Sequence, residues 1–378
     1  MSEYFLNSNV IFGGGSIDYL TKYKNLNVTI VTDPALKELG MTDKIEALLM
    51  ECSVSVYSDI KPDPTLTQVT ECYKFVKAKK TDILLAFGGG SAIDTAKAVI
   101  LVDSTADSCS EMQLVAIPTT AGTGSEVTNY TVVKDEIAGR KIPLVDDRMI
   151  PKLAILDYTL TKTVPGSVTA ATGMDVMTHA IEAYVSTKAN LITDSFAEKA
   201  ISLAHDNLYV AYKEGSNDNA RENMLMASYI AGLAFTGAGL GINHSIAHAL
   251  GAAFGIAHGK ANAIVLPHVV AFNSGLDVPF GTDKSEVAKK YARIAQVMGL
   301  PAGGTRLCVQ NLVHELQAMN RQMGIPATLL QLGIDRANFM EHRSKIIESV
   351  LLDGCTACNP KQPNAGDIGK LLDKIYQG

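Results

Sequence analysis

The apolar positions of the chain fall into two regimes. Up to about residue 160, short runs rich in β-branched residues recur at 27–31, 53–57, 83–87, 114–117 and 153–156, with helical patterns between them. That alternation predicts βαβ units and a parallel sheet. Beyond Pro165 these runs stop, and long segments rich in Ala, Leu, Met and Ile with a 3.6-residue period take over, as in 193–212 and 221–234. The second part is therefore predicted to be helical. The turn-prone pair Pro165-Gly166 precedes a helical pattern that carries 174–185. It sets the expected boundary at 160–166, with domains over 1–163 and 164–378. With no fixed-period repeat and no low-complexity linker, the two parts are expected to pack with a cleft between them.

Length and composition agree with that division. A chain of 378 residues exceeds one typical domain, and 47% apolar with 19% charged residues is ordinary globular composition. The net charge of −6 comes with no basic block, so the electrostatic footprint of a nucleic-acid binder is missing. No run approaches the ~18 to 20 apolar residues that span a bilayer, and the first ten residues lack a signal pattern. The expected compartment is the cytosol, with no nucleic-acid and no membrane partner. Six cysteines in such a chain read as free thiols, and only Cys355 and Cys358 form a C-x-x-C pair.

The run 83–87 enters Gly88-Gly89-Gly90-Ser91, and 92–101 continues as a helix. A strand, a glycine turn and a helix in that order form a phosphate cradle: glycines admit a pyrophosphate closely, and the helix start offers unpaired N–H donors. Gly13-Gly14-Gly15-Ser16 is almost the same motif after only a short strand, and reads as a structural turn. After 114–117 comes Pro118-Thr119-Thr120-Ala121-Gly122-Thr123-Gly124-Ser125-Glu126. Its hydroxyls can satisfy their own turn. They also suit the ribose and nicotinamide side of a dinucleotide through Thr119, Thr120, Thr123 and Ser125, with Lys141 available to a phosphate. Asp33 ends the strand 27–31. There it can accept from a ribose 2′-OH and repel a 2′-phosphate, favouring NAD, and it can cap a helix that begins at Pro34.

The helical part carries a metal-like constellation. Asp175 and His179 are four apart, one turn along a single helix face, and His244, His248 and His258 lie downstream. One carboxylate and several imidazoles entering an apolar body need mutual partners, which a cation supplies. A carboxylate with three imidazoles and no thiolate suits Fe²⁺ or Zn²⁺ and leaves a coordination position open, so the site is expected to be catalytic. His205, His268, His314 and His342 lack this clustering and read as structural or surface residues.

Together these segments resemble the iron-containing alcohol dehydrogenases along essentially the whole chain. Residues 88–97, 117–128, 169–186 and 244–268 look like that family's signatures in order and spacing. The resemblance implies an α/β N-terminal dinucleotide-binding domain plus an all-α C-terminal domain, the dehydroquinate synthase-like or iron-containing alcohol dehydrogenase fold, with the active site in the cleft. By motif position it implies Asp175, His179, His244 and His258 as metal ligands and His248 as a catalytic histidine near the nicotinamide. It also implies Asp33, Gly88, Gly89, Gly90, Ser91, Asp94, Thr119, Thr120, Thr123, Ser125 and Lys141 as coenzyme residues. Residues 240–248 and 355–360 look most like the 1-propanol dehydrogenases of diol-degrading bacterial pathways. That likeness implies a small aldehyde or alcohol substrate, a homodimer or higher homo-oligomer, and a bacterial microcompartment as a setting within the cytoplasm. Gly237, where the family often has Asn, Ala257, where it usually has Pro, and Asp63 in place of Asn before Pro64-Thr65 are departures. A dehydroquinate synthase-type lyase shares the architecture but returns the hydride, and net NADH consumption separates the two classes. A non-enzymatic scaffold would leave the polar residues unexplained.

Overall fold

The computed structural model describes residues 8–107, 110–137, 140–278, 282 and 285–377, with the backbone alone at 140 and 141. The chain divides into two compact units, Met1–Val164 and Pro165–Gly378. The first holds strands β1 (Asn9–Phe12), β2 (Asn27–Val31), β3 (Ser53–Tyr57), β4 (Ile83–Gly88), β5 (Gln113–Pro118), β6 (Tyr130–Asp135), β7 (Arg140–Val145) and β8 (Leu153–Leu156). Its helices are α1 (Pro34–Glu38), α2 (Met41–Leu48), α3 (Leu66–Ala78) and α4 (Gly90–Ala106). Six strands form one sheet in the order β1-β8-β5-β4-β2-β3, every pairing parallel.

A parallel sheet covered on both faces needs strands that are apolar throughout, sorted by the two-residue alternation of side chains. In β4, Leu84 and Ala86 face one layer with Val69, Val76, Ala96 and Val99 of α3 and α4. Ile83, Leu85 and Phe87 face the opposite layer with Leu36, Met41 and Ile45 of α1 and α2. All five expected strands lie in this sheet. The antiparallel pair β6 and β7 is an additional element that the hydrophobic pattern does not announce. Gly13-Gly14-Gly15 is a turn into a 3-10 helix at Ser16–Lys22.

The second unit comprises α5 (Gly166–Val185), α6 (Leu191–Lys213), α7 (Asp218–Ala238), α8 (Ile242–Phe254), α9 (His258–Ser274), α10 (Glu286–Val297), α11 (Thr305–Gln322), α12 (Arg336–Leu352) and α13 (Ala365–Gln377). The last thirteen residues of α5 are buried, which explains why its sequence is apolar on every side. Among the described residues no single helix is long and apolar enough to cross a membrane. The consecutive helices α7 and α8 meet at 107°.

Two local features set where α9 runs. Pro267 lies inside it and removes the N–H that would reach the carbonyl of Ala263. The side chain of Asn320 on α11 donates to that carbonyl at 2.7 Å, so the buried acceptor is satisfied and the helix continues. At its start, α9 touches α5 backbone to backbone. A Cβ on Gly259 would stand 2.3 Å from the carbonyl oxygen of Ala171 and 2.7 Å from its carbon. Only glycine permits this approach, which brings His258 beside the residue that follows Ala171 by one turn, Asp175.

Gly259→Ala is therefore expected to push the two helices apart and destabilise the protein by ~1–3 kcal/mol, the usual cost of overpacking. Thermal unfolding checks it. An unchanged midpoint would mean that α9 shifts without cost.

Candidate metal and coenzyme sites

Three helices of the second unit each offer a pair of polar residues four apart, and so on one face: Asp175 and His179 on α5, His244 and His248 on α8, His258 and Asn262 on α9. The ligand atoms of Asp175, His179, His244 and His258 all lie within 4.8 Å of one another. Asp175 Oδ1 is 3.6 Å from His258 Nε2 and 3.8 Å from His244 Nε2. Donors placed ~2.0–2.2 Å from one tetrahedral ion stand about 3.4 Å apart, and these two separations lie within a few tenths of an ångström of that. The rings of His179 and His244 stack at 4.7 Å, and Phe235 stacks on the other side of His179 at 4.6 Å. Asp175, His179 and His244 are buried, whereas the His258 side chain is 33% exposed. The cluster is thus sealed by α5 and α8 and open beside His258.

The electrostatics also fit a cation. Burial pushes the Asp175 carboxyl up and the His244 imidazole down. Both shifts oppose charge, and a divalent ion is a partner that would let the carboxylate stay ionised beside the imidazoles. Glu182, one turn beyond His179, fixes the required tautomer. Its Oε2 accepts from His244 Nδ1 at 2.6 Å, which leaves the Nε2 lone pair facing the cluster. Its Oε1 accepts from the backbone of Asn243 at 2.7 Å, and burial raises its carboxyl to about 7. Asn262 stands within the cluster, donating to Asp175 Oδ1 at 2.6 Å.

His248 sits apart from the four. Its Nδ1 is 2.9 Å from Asp353 Oδ2, and its ring stacks on His258 at 5.3 Å. Asp353 Oδ1 accepts from the Cys355 backbone at 2.8 Å and from Ser245 Oγ at 3.1 Å. Burial pushes this carboxyl up, but its bonds to His248 and Cys355 prevail and hold it at about 2. An anionic Asp353 accepting from Nδ1 directs Nε2 of His248 away from it. Cys355 and Cys358 are buried and not joined in a disulfide.

In the first unit the glycine turn leads from β4 into α4, whose first N–H groups have no partner within the helix. The Thr loop packs on the glycines: a Cβ at Gly89 would meet Thr120 Oγ1 at 3.3 Å, and one at Gly90 would meet Thr123 Cγ2 at 2.7 Å. Thr119 donates its N–H to Gly88 at 3.0 Å. Asp33 performs the capping expected of it, Oδ1 accepting from Leu36 at 3.0 Å, while Oδ2 lies 3.6 Å from where Gly88 would carry a Cβ. Asp94 and Ser125 meet each other, Ser125 Oγ donating to Asp94 Oδ1 at 2.6 Å, and so brace the loop against α4. Lys97 completes the brace. It is fully buried, its Nζ bonds Thr128 Oγ1 and the Tyr130 carbonyl at 2.8 and 3.0 Å, and burial lowers its pKa to about 8. The side chain of Lys141 lies outside the described residues. Asp63 has φ 56°, a left-handed conformation that Asp and Asn share, which makes the exchange of one for the other at that position physically mild.

Glu182, Asn262, Asp353 and Lys97 were not singled out from sequence. For Asn262 the signal was present, a polar residue four after His258. Asp353 is 105 residues from His248, a separation that no local pattern reveals.

Comparison with known proteins agrees with this geometry. The family model described as "Iron-containing alcohol dehydrogenase" matches residues 7–158, and "Fe-containing alcohol dehydrogenase family, C-terminal" matches residues 169–376. The 1-propanol dehydrogenase PduQ of Citrobacter freundii is 38% identical over 99% of this chain and 100% of its own. The NADPH-dependent butanol dehydrogenase of Clostridium saccharobutylicum is 35% identical over 100% and 99%. A solved 1,3-propanediol oxidoreductase superposes with a TM-score of 0.89 at 32% identity, over the whole of both chains. The chain belongs to the iron-containing alcohol dehydrogenase family, oxidoreductases of alcohols and aldehydes that work with iron and NAD(H).

Proposed function

We propose that this protein reduces short, unbranched aldehydes, propanal foremost, with NADH, and oxidises the corresponding primary alcohols in reverse. The observation that carries this reading is the convergence of Asp175, His179, His244 and His258 at a site open beside His258. These four would hold the iron, with Zn²⁺ accommodated by the same donors. When bound, the ion supplies a Lewis acid that polarises the carbonyl, and the dinucleotide supplies the hydride. The chain's own residues do the rest. Glu182 keeps His244 in the tautomer that can coordinate. Gly88, Gly89, Gly90 and Ser91 admit the pyrophosphate at the start of α4, with Thr119, Thr120 and Thr123 as hydroxyl partners, while Asp94 and Ser125 hold that loop in place. Asp33 Oδ2 reads the adenosine ribose. His248, fixed by Asp353, serves proton transfer: reduction consumes one hydride and one proton, and a histidine whose Nδ1 is committed to a carboxylate can deliver or orient the proton through Nε2.

The substrate reading draws on the propanol, butanol and propanediol enzymes among the relatives and on the residues around the ligands. Phe235 covers His179, and no arginine lies between 232 and 268 to clamp a carboxylate or phosphate. Ala238 and Ile246 are fully buried, and Phe254 packs edge-on to His342. A homo-oligomer in the cytoplasm, within a bacterial microcompartment, is the proposed setting.

The deciding experiment is anaerobic reduction of an aldehyde panel by NADH with iron-loaded protein. Aldehydes of about two to four carbons are expected to be preferred over a broad optimum, since one methylene is worth only ~1–3 kcal/mol in an apolar pocket. A kcat/KM for succinic semialdehyde or a phosphorylated aldehyde ten times that for propanal would overturn the assignment.

Asp353→Asn is expected to retain metal yet lower kcat by about 10²-fold, as is His248→Ala, because each removes the oriented imidazole. Loss of metal from either variant, or wild-type pH profiles in both, would remove the pair from the mechanism.

Asp33→Gly is expected to narrow or reverse the preference for NADH, because it deletes both an acceptor and a repulsive charge. The readout is the NADH to NADPH ratio of kcat/KM. An unchanged ratio would leave Asp33 only its cap on α1.

A further inference from the structure

We propose that Asn262 is a positioning residue of the metal site: its amide, locked in one orientation by Asn243, keeps Asp175 coordinating through a single oxygen and itself stays out of the ligand set. This rests on the reading that Asp175, His179, His244 and His258 hold the ion.

Asn262 lies one turn after His258 on α9 and is fully buried. Its Nδ2 is 2.6 Å from Asp175 Oδ1, 3.1 Å from His258 Nε2 and 3.2 Å from His244 Nε2. Which end of an amide faces a site must be argued from its partners, because oxygen and nitrogen have the same shape. Here the partners decide. The side chain of Asn243 reaches the backbone carbonyl of Asn262 at 3.3 Å, and a carbonyl only accepts, so Asn243 must present its NH₂ there. The same NH₂ lies 2.9 Å from the Asn262 side chain, which must therefore turn its oxygen toward Asn243. The nitrogen of Asn262 is left facing the metal donors.

Two consequences follow from that orientation. An amide NH₂ is a pure donor and cannot ligate a cation, so Asn262 adds no fifth ligand. Its two hydrogens also cannot serve three acceptors. Once the imidazole Nε2 lone pairs are directed at an ion, the remaining acceptor is Asp175 Oδ1, and the short bond to it pins the carboxylate. Turning Asp175 so that both oxygens chelate would break that bond in a buried place where no water replaces it. The donor set is thereby held at four protein atoms, which suits iron or zinc and disfavours ions that need six or more oxygen ligands.

The test uses full-length protein loaded with Co²⁺, whose visible absorption weakens as coordination number rises, and chelator competition for Zn²⁺. N262L, which deletes the amide, should weaken Zn²⁺ binding by about ten- to a hundredfold, the usual effect of losing a partner that orients a ligand. N262D keeps the shape but replaces NH₂ with an oxygen, and should weaken the Co²⁺ bands as that oxygen joins the ion. N243L frees the amide to turn and should likewise weaken the bands, but should have no further effect in an N262L background. Wild-type affinity in N262L together with wild-type spectra in N262D and N243L would overturn the proposal. Should N262L fail to fold, the two spectra decide. H258A is the control for the underlying reading. If it retains wild-type Co²⁺ binding, the ligand assignment itself fails, whereas binding lost in H258A but indifferent to Asn262 refutes only this inference.

Discussion

A carboxylate buried at Asp175 is the constraint around which the second unit is arranged. An ionised group taken out of water costs several kcal/mol or more unless a compensating charge meets it. No lysine or arginine reaches Asp175 among the described contacts. The groups that face it are three imidazoles and an amide: His258 and His244 at 3.6 and 3.8 Å, Asn262 at 2.6 Å, and His179 within 4.8 Å. Burial disfavours the charged form of His244, so that ring is ill suited to balance the carboxylate, but the imidazoles together can share a cation that does. The rest of the packing serves this convergence. Three helices must bring i and i+4 pairs to one point, which requires α9 to touch α5 where a Cβ at Gly259 would fall 2.3 Å from a backbone oxygen. The same helix must run on past Pro267, which the side chain of Asn320 permits.

In the first unit the corresponding constraint is close approach around the glycine turn. Each of the three glycines there makes room for a different neighbour. Gly88 leaves room for Ala92 and Asp33, Gly89 for Thr120, and Gly90 for Thr123. The glycine turn and the threonine loop can therefore lie against each other. Asp94, Ser125 and Lys97 hold them there through bonds made beneath the surface. A buried lysine and carboxylate in that position stiffen the loops, which reduces the ordering that binding would otherwise require.

Fold class was legible because the two periodicities are strong. Parallel strands buried on both faces are apolar throughout, and helices around α5 repeat at 3.6 residues. The β6 and β7 pair was not legible: its residues include Lys134, Asp135, Arg140 and Lys141, so it lacks the continuous apolar run that marks the central strands. In the site, residues spaced four apart on one helix could be found by counting. Partners contributed by another helix could not, and these are Glu182 with His244, Asn243 with Asn262, and His248 with Asp353. Spacing identifies which groups share a face, whereas the identity of the facing group depends on how helices cross.

That division bears on which parts of such a protein can change. The four donors and their partners are coupled through short bonds in a buried network, so a substitution at one leaves another polar atom unsatisfied, a penalty of ~1–3 kcal/mol for each neutral group. Residues that touch neither ion nor network carry no such penalty. Ala257 adjoins His258 in sequence and Gly237 lies on α7, neither making a side-chain bond to the cluster among the described contacts, and Asp33 caps α1 with one oxygen and leaves the other beside Gly88. One relative is named as NADPH-dependent, and others are named for propanol and propanediol, each matching nearly the whole of this chain. Side chains at these positions can thus change while the donor geometry stays fixed, because the energy that holds Asp175 in place does not pass through them.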